Sequence, residues 1–400
     1  MPADYDIVVV GAGIHGAGVA QAAAAAGYSV LVLEQNQVGG GTSSRSSKLI
    51  HGGLRYLETG QLGFVRESLR ERELLIQNAP DLVKRVPFYI PIYRHSKRGR
   101  FLIALGLSSY AVLAGLSPQV RFRRVPRSEW SGLDGLETKD LKAVFQYGDA
   151  QTDDRKLTRA VMQSALELGA ILHLSAHFQS AVREDDAYRI TYAHEGVIKT
   201  GLVSALVNAA GPWVDTVLNG ITAPVSKINI DLVQGTHILL LGRIDGGIYY
   251  LESPRDKRPV FVMPWKEQTM IGTTETMFKG DPSDLAPLED EKRYLLEVVH
   301  TYFPKYRATT LSQIQSSFAG LRVLPSAGGS FNARSRETLL SVDHFNQPRL
   351  LTIYGGKLTT YRSTAAEVIR LLAKSLPQRQ AKGDTRRLFL KPVPEDSDEK

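Results

Sequence analysis

Residues 6–16, which read Asp-Ile-Val-Val-Val-Gly-Ala-Gly-Ile-His-Gly, decide the fold of this chain. An apolar strand runs directly into Gly11 and Gly13, and Gly16 follows at the start of an alanine-rich helix. In a βαβ dinucleotide-binding motif, such glycines allow a tight turn, close approach of a diphosphate and close packing of helix on strand. The next apolar strand ends at Glu34, about 20 residues further on, where an acidic residue meets the adenosine ribose. Strand, glycines, helix and acid together predict a Rossmann-like domain that binds a dinucleotide, rather than a glycine-rich turn that binds nothing.

The composition limits the chemistry that the chain can perform. Its 400 residues are expected to form two closely joined domains, because a single hydrophobic core rarely serves a chain of that length. The sequence contains no cysteine, which excludes disulfides, thiolate-bound iron–sulfur clusters and a redox-active thiol pair. Any redox chemistry must therefore come from a bound cofactor. The N-terminus lacks the charged and apolar regions of a secretory signal, so the cytoplasm is the expected location.

The net charge of +8 indicates anionic partners, which could be a substrate, a nucleic acid or an anionic lipid. Basic residues are concentrated in residues 94–127, where they flank two apolar runs without one acidic residue. These runs are too short and too interrupted for a membrane span, which needs about 20 apolar residues. Two interpretations stay open from the residues alone: an interfacial helix whose basic flanks contact anionic lipid, or a core helix with basic ends.

Residues 42–57 combine hydroxyl side chains, glycines and basic residues, and they resemble the signature of FAD-dependent, quinone-linked glycerol-3-phosphate dehydrogenases. Further segments that resemble motifs of this family are residues 208–213, 234–237, 271–275, 318–325, 333–337 and 353–362. The resemblance extends from Tyr5 to about Arg370. One departure is Glu275, because family members usually have aspartate at that position. The resemblance implies FAD as the cofactor and monotopic contact with a membrane, which favours the interfacial interpretation of residues 94–127.

The resemblance also implies roles for individual residues. Arg322 and Arg336 would bind the substrate phosphate, because planar guanidinium groups suit phosphate oxygens, and Arg55 would be either a third cation or a contact for the glycerol hydroxyls. Lys357 would lie near the pyrimidine edge of the flavin. The expected substrate-binding residues are Arg55, Tyr56, His237, Thr274, Arg322, Arg336 and Lys357. The expected cofactor-binding residues are Gly11, Gly13, Ile14, Gly16, Glu34, Thr42, Ser43, Ser47, Lys48, Leu49, His51, Gly211, Gly355, Gly356, Lys357, Leu358 and Thr359.

The implied reaction is the oxidation of sn-glycerol 3-phosphate to dihydroxyacetone phosphate. Carbon 2 would give a hydride to N5 of FAD while a base removes the hydroxyl proton, and the electrons would pass to membrane quinone. His51 and His237 are alternative bases, and with Arg322 they are the expected catalytic residues. The remaining histidines show no spacing typical of metal ligands, so no metal is expected. The expected partners are a small phosphorylated substrate, membrane quinone and the inner face of the cytoplasmic membrane, but no nucleic acid.

We expect an α/β fold in which a discontinuous Rossmann-like FAD-binding domain carries a β-rich substrate domain above the flavin. The FAD-binding domain is predicted to comprise residues 1–90, 150–225 and 340–375, and the substrate domain residues 91–149 and 226–339. Apolar runs between Gly and Pro turns in residues 228–276 suit an antiparallel sheet. Residues 376–400 are expected to form a charged tail. Longer family members continue into a helical C-terminal domain, so the chain is expected to be a short form without it.

Two other functions remain open at this level. A flavin-dependent oxidoreductase of an amine or a 2-hydroxy acid would share the dinucleotide motif and the Asn-Ala-Ala-Gly-Pro-Trp turn at residues 208–213, and a carboxylate needs fewer cations than a phosphate. A flavin-binding subunit without its own catalysis would also keep these motifs. The sequence leaves open the electron acceptor, the oligomeric state and which residue is the base.

Overall fold

The computed structural model describes residues 3–116, 120–223, 227–326 and 338–394. Within these ranges the chain forms two large β-sheets and seven α-helices. The first sheet contains β1 (Tyr5–Val10), β2 (Val30–Leu33), β7 (Ile171–His173), β8 (Ala176–Glu184), β9 (Ala187–His194), β10 (Val197–Asn208), β11 (Ile221–Thr222), β18 (Leu339–Val342) and β19 (Leu350–Tyr354). The second sheet contains β3 (Leu49–Ile50), β4 (Val83–Tyr93), β5 (Arg123–Arg124), β6 (Leu141–Thr152), β12 (Ile230–Leu241), β13 (Ile248–Glu252), β14 (Pro259–Trp265), β15 (Gln268–Gly272), β16 (Thr276–Phe278) and β17 (Ser316–Pro325). The helices are α1 (Ile14–Ala25), α2 (Leu62–Asn78), α3 (Arg100–Leu113), α4 (Asp154–Glu167), α5 (Val214–Asn219), α6 (Glu289–Tyr302) and α7 (Tyr361–Leu372).

The first sheet is built around β1, which pairs in parallel with β2 on one side and with β10 on the other. Strands β7 and β19 extend this parallel arrangement at its two sides. The first half of β10 pairs instead with β9, and β9 with β8, in an antiparallel meander. Helix α1 is made of small apolar residues and is buried on almost all sides, because α4 and α7 pack against it. The predicted α/β fold with a Rossmann-like domain is confirmed.

The turn between β1 and α1 depends on its glycines. Gly11 has a φ of +101°, and a Cβ atom at this position would lie 2.8 Å from the carbonyl oxygen of Ala209 in the turn after β10. A Cβ atom at Gly16 would lie 1.9 Å from the carbonyl oxygen of Gly11. Larger residues would therefore push α1 away from β1 and close the space above the turn.

The second sheet is largely antiparallel, as predicted for the substrate domain. Strand β12 pairs with β15, β16 and β17, and β4 pairs with β6 along nearly its whole length. A parallel pairing of β13 with β4 joins these two halves. Helix α6 packs on one face, where Leu295, Val298 and Val299 join the apolar side chains of the strands in one core.

Two strands of the second sheet arise from segments that we predicted to belong to the FAD-binding domain. Strand β4 begins at Val83 and β3 at Leu49, and both pair with the long strand β6. The chain therefore enters the second sheet before residue 90. The division into domains at residues 90, 150, 225 and 340 remains a prediction.

The segment after α7 contains no helix or strand up to residue 394, yet it packs on the body of the protein. The Leu390 side chain is only 2% exposed, and its backbone N–H donates to the Asn78 carbonyl at 2.7 Å. The backbone N–H of Lys382 donates to the Ala25 carbonyl, also at 2.7 Å. We predicted only a charged tail from residue 376, and the packing of this segment against α1 and α2 was not predicted. The acidic end, residues 395–399, lies outside the described residues.

Candidate active site

A cavity of about 620 Å³ is lined by residues of both sheets. This volume falls within the range of protein sites for small molecules and cofactors. The first sheet and its turns contribute Gly11, Gly13, Ile14, His15, Glu34, Gly211, Gly355, Gly356, Lys357, Leu358 and Thr359. Residues 42–57 and the second sheet with its turns contribute Thr42, Ser43, Ser47, Leu49, His51, Arg55, Tyr56, His237, Arg258, Phe261, Thr273, Glu275 and Arg322.

Side chains hold the glycine turn at one part of this cavity. The Glu34 carboxylate accepts the backbone N–H of Ala12 at 2.7 Å and that of Asn36 at 2.9 Å. The Ser43 hydroxyl accepts the N–H of Ile14 in the first turn of α1 at 2.9 Å. The Thr42 hydroxyl donates to the Leu321 carbonyl in β17 at 2.8 Å. The loop at residues 42–44 therefore links the glycine turn to the second sheet.

Lys48 is buried in the protein rather than exposed to the cavity. Its ammonium group lies 2.6 Å from a carboxylate oxygen of Asp154 and donates to the Ser44 carbonyl, also at 2.6 Å. The rings of Trp265 and Phe318 lie 5.5 and 5.1 Å away. Burial raises the pKa of Asp154 even though the charge of Lys48 opposes this. We therefore assign Lys48 to holding the loop in place, whereas its neighbours Ser47 and Leu49 line the cavity.

The two candidate bases lie in different surroundings. His237 is 1% exposed, its Nε2 lies 2.9 Å from the Ser47 hydroxyl, and its ring stacks on Phe318 at a centroid distance of 4.8 Å. Burial lowers the pKa of His237 well below its usual value, and the positive charges of Arg322 and Lys48 act in the same direction. Both effects favour the neutral form of the His237 ring.

His51 is half-buried in the cavity wall. Its backbone N–H donates to the Thr359 hydroxyl at 3.2 Å, and its ring lies edge-on to Phe261 at a centroid distance of 6.4 Å. The hydrogen bond to Thr359 connects the motif at residues 42–57 with the turn that precedes α7. The structure thus brings together two motifs whose hydrogen-bonded residues lie 308 positions apart in the sequence.

Two arginines and one carboxylate form a charged cluster in the cavity wall. An Arg258 Nη2 lies 3.2 Å from one Glu275 oxygen, and an Arg322 Nη1 lies 3.7 Å from the other. Arg322 Nη2 also donates to the Thr273 hydroxyl at 3.1 Å. The cluster thus places two guanidinium groups in the cavity wall, and Asp256 is a second carboxylate, 3.9 Å from Nη1 of Arg258. Such a cluster suits an anionic ligand.

Lys357 brings another positive charge to the cavity. Its ammonium group lies 3.9 Å from the ring centroids of both Tyr56 and Phe64, within the range of cation–π interactions. The Arg55 guanidinium lies 5.6 Å from the ring of Tyr56, and it also lines the cavity. The predicted Arg55, Tyr56 and Lys357 therefore lie side by side.

Three predicted site residues do not line the cavity in the described part of the chain. Gly16 acts through the packing of α1 on β1, and Lys48 through its ion pair. The Thr274 hydroxyl donates to a Glu291 oxygen at 2.7 Å and accepts the N–H of Thr236 at 2.8 Å. These bonds hold α6 against β12. The predicted Arg336 lies outside the described residues.

Arg258 is a cavity residue that the sequence interpretation missed. In the sequence it stands among Arg255, Asp256 and Lys257, a group typical of an exposed turn. The available signal was its position directly before the apolar strand β14. Its proximity to Arg322 follows from tertiary structure, since Glu275 connects the two side chains.

A family model described as "FAD dependent oxidoreductase" matches residues 6–362. A glycerol-3-phosphate dehydrogenase from Pseudomonas aeruginosa is 39% identical over 376 residues, which cover 92% of this chain and 71% of that protein. The chain belongs to the FAD-dependent oxidoreductases, in the group of the glycerol-3-phosphate dehydrogenases. A D-erythritol 1-phosphate dehydrogenase from Brucella abortus is 35% identical over 94% of this chain and 75% of its own length.

The solved structure of a glycerol-3-phosphate dehydrogenase from Bacillus halodurans, in complex with FAD, is similar to this member of the family. It has a TM-score of 0.71 and 26% identity, and the match covers 96% of this chain and 67% of the Bacillus protein. FAD is the cofactor of this family, and the residues of the cavity fit it. The glycine turn lines the cavity through Gly11 and Gly13, and the two buried ring nitrogens of His15 have no hydrogen-bond partner among the described residues. Within those residues, no helix is both long and apolar enough to cross a membrane.

Proposed function

We propose that this protein oxidises sn-glycerol 3-phosphate to dihydroxyacetone phosphate with FAD as the hydride acceptor. The observation that carries this proposal is the pair Arg258 and Arg322, which lines the same cavity as His51 and Lys357. An anion-binding cluster, a candidate base and the cofactor turn therefore share one space. Relatives that act on phosphorylated polyols, at 35–39% identity, support the same substrate class.

In this proposal the guanidinium groups of Arg258 and Arg322 bind the substrate phosphate. Glu275 holds both arginines and reduces their mutual repulsion before the substrate enters. Arg55 and Tyr56 contact the glycerol part, while Arg336 remains a predicted third phosphate ligand. The three terminal oxygens of the phosphate allow both guanidinium groups to bind it at once.

His51 is the proposed base that removes the proton from the hydroxyl group at carbon 2. His237 is less suited to this role, since its Nε2 is engaged with the Ser47 hydroxyl and its low pKa makes it a weak proton acceptor. We assign His237 to orienting Ser47 and the cavity wall. When bound, FAD supplies the acceptor for the hydride that leaves carbon 2. Lys357, held between Tyr56 and Phe64, keeps a fixed positive charge beside the reacting groups.

The test is an anaerobic absorbance titration of the FAD-loaded protein with sn-glycerol 3-phosphate. We expect the oxidised-flavin band to bleach with this substrate, and glycerol without its phosphate should bleach it far more slowly. A second titration with an erythritol phosphate of the same stereochemical series tests whether the cavity also accepts a longer polyol. If the band stays oxidised with both phosphates but bleaches with an amine or a 2-hydroxy acid, the alternative oxidoreductase replaces the proposal.

We further propose that the electrons pass to a membrane quinone at the inner face of the cytoplasmic membrane. The support is helix α3, whose inner side packs on the protein through Ile103, Leu107 and Tyr110. Its outer side is apolar yet exposed, with Phe101 77% and Leu105 65% accessible. Further exposed apolar side chains of this segment are Leu102, Val112 and Leu116.

An apolar helix face exposed to water is unfavourable unless something covers it. The exposed side chains of Arg94, Lys97 and Arg100 lie just before the exposed apolar residues of α3 in the chain. Apolar side chains that enter the interface between lipid headgroups and acyl chains, together with cations that contact anionic headgroups, are typical of monotopic membrane proteins. This surface therefore supports the proposed membrane contact.

A further inference from the structure

His15 is a half-buried, titratable residue with buried ring nitrogens, and the proposed reaction does not use it. It lies in the first turn of α1, directly after Ile14, and its side chain lines the cavity. Among the described residues, neither its Nδ1 nor its Nε2 atom has a hydrogen-bond partner. Other side chains around the glycine turn differ in this respect, because Glu34 and Ser43 both accept backbone N–H groups.

The ring of His15 points from the glycine turn towards the turn before α7. A Cβ atom at Gly356 would lie 2.1 Å from Nε2 of His15 and 2.9 Å from the Thr338 hydroxyl. The imidazole therefore fills the space directly beside Gly356. Both turns also line the cavity, so His15 lies between the glycine turn and the turn that contains Lys357.

An unpartnered polar group in this position is costly. A buried donor or acceptor without a partner destabilises a fold by about 1–3 kcal/mol, and nearly all such groups in native proteins have partners. Burial also lowers the pKa of His15 to about 4, so the ring is neutral and presents one N–H donor and one acceptor nitrogen. A bound molecule in the cavity can satisfy both atoms, whereas the described side chains do not.

We propose that His15 is a cofactor-binding residue whose imidazole forms hydrogen bonds with polar atoms of bound FAD. The glycine turn itself binds through its backbone, so His15 adds a side-chain contact that the glycine pattern does not specify. This inference rests on FAD as the cofactor and is independent of the substrate.

The test compares His15→Leu and His15→Asn with the wild type, using protein from which the flavin has been removed. Titration with FAD, followed by quenching of flavin fluorescence, gives the dissociation constant, and thermal unfolding gives the stability of the apoprotein. We expect His15→Leu to weaken FAD binding by about three- to tenfold, as the loss of one buried hydrogen bond predicts. The apoprotein melting temperature should stay the same or rise, because an unsatisfied group has been removed. His15→Asn should recover part of the affinity.

Gln21→Leu is the matched control, since Gln21 is a polar residue of the same helix, is buried and donates to the Ser164 hydroxyl at 2.9 Å. This variant should lower apoprotein stability and leave FAD affinity unchanged. The proposal is overturned if His15→Leu binds FAD as tightly as the wild type, or if it destabilises the apoprotein as Gln21→Leu does. No substrate enters these measurements, so a failure of the proposed dehydrogenase activity would not be mistaken for a failure of this inference.

Discussion

The phenol oxygen of Tyr110 accepts a hydrogen bond from the backbone N–H of Gly52 at 2.8 Å. The same hydroxyl donates to a carboxylate oxygen of Asp149 at 2.7 Å, and the buried Arg72 binds the other oxygen at 2.7 Å. Gly52 directly follows His51, while Tyr110 belongs to α3. The helix with the exposed apolar face is therefore connected, through one phenol, to the loop that carries the proposed base.

Replacing Tyr110 by phenylalanine should impair both stability and catalysis. The buried Gly52 N–H would lose its Tyr110 acceptor, and Asp149 would lose one donor, which together should lower the free energy of unfolding by about 1–3 kcal/mol. A looser His51 should slow flavin reduction about tenfold, because the rate depends on the position of the base. Urea unfolding and stopped-flow reduction measure the two effects.

Tyr188→Phe is the control for this variant. The Tyr188 hydroxyl also donates to a carboxylate, that of Asp343 at 3.0 Å, but it lies in β9 and does not line the cavity. The Tyr188→Phe protein should be less stable than the wild type, but its rate of flavin reduction should be unchanged. Equal reduction rates in Tyr110→Phe and wild type would contradict the connection to His51.

Replacing Arg258 by methionine should weaken substrate binding. Methionine keeps much of the side-chain length but removes the charge, so the phosphate would lose a charge-assisted contact of about 1.5–3 kcal/mol. We expect KM for sn-glycerol 3-phosphate to rise by roughly 10- to 100-fold, with a smaller change in kcat. Arg255→Met serves as the control, because Arg255 is half-exposed and pairs with Glu297 instead. An unchanged KM in Arg258→Met would remove this residue from the phosphate site.

Variants of His51 and His237 should differ in their rates of flavin reduction. His51→Asn should slow flavin reduction by about 10²- to 10⁴-fold, the usual contribution of a positioned base, while the protein still binds FAD. His237→Asn should have a smaller effect, since its ring is engaged with Ser47. Single-turnover reduction at saturating substrate provides the measurement. The assignment reverses if the His237 variant proves the slower of the two.

The stability of the flavin-free protein should fall as the pH is lowered towards about 4. Burial lowers the pKa of His15 from 6.5 to about 4 in the folded protein, so the unfolded chain binds more protons between these values. His237, whose pKa is also lowered, acts in the same direction. Between about pH 7 and pH 4.5, His15→Leu should lose roughly 2–3 kcal/mol less stability than the wild type. The free energy of unfolding of both proteins is measured with urea as a function of pH. If it changes equally in both, His15 does not titrate in this way.

Acidic residues on α3 should reduce membrane binding. We expect the double variant Phe101→Asp, Leu105→Asp to bind anionic lipid vesicles at least about tenfold more weakly, because each apolar side chain contributes about 1.5–3 kcal/mol when it leaves water. Val197→Asp combined with Ile198→Asp is the control, as these side chains are similarly exposed at 59% and 57% but lie on β10. Vesicle sedimentation measures both variants. Equal losses in both would indicate a general effect of charge.

The parts of the fold that the sequence predicts well are those determined by neighbouring residues. The turn at Gly11, helix α1 and strand β2 follow from a short pattern, because each glycine serves contacts within the same βαβ unit. The family motifs also predicted residues that line the cavity, among them His51, Arg55 and Lys357.

Other features depend on contacts between distant segments. The hydrogen bond from Gly52 to Tyr110, and the shared carboxylate of Arg258 and Arg322, give no local signal in the sequence. Thr274 shows a second limit, since its neighbours Thr273 and Glu275 line the cavity while its own side chain bonds to Glu291. In extended backbone, consecutive side chains point to opposite sides, and a motif does not reveal which side faces the ligand.

Because both sheets line the cavity, bound FAD contacts both of them and stabilises the folded protein. FAD that binds only the folded form shifts the folding equilibrium, by about 2.7 kcal/mol when its free concentration is a hundred times the dissociation constant. The apparent melting temperature then depends on how much flavin is present. Cells short of riboflavin would therefore contain less of the folded protein, even at an unchanged rate of synthesis, because the empty form is more exposed to proteolysis.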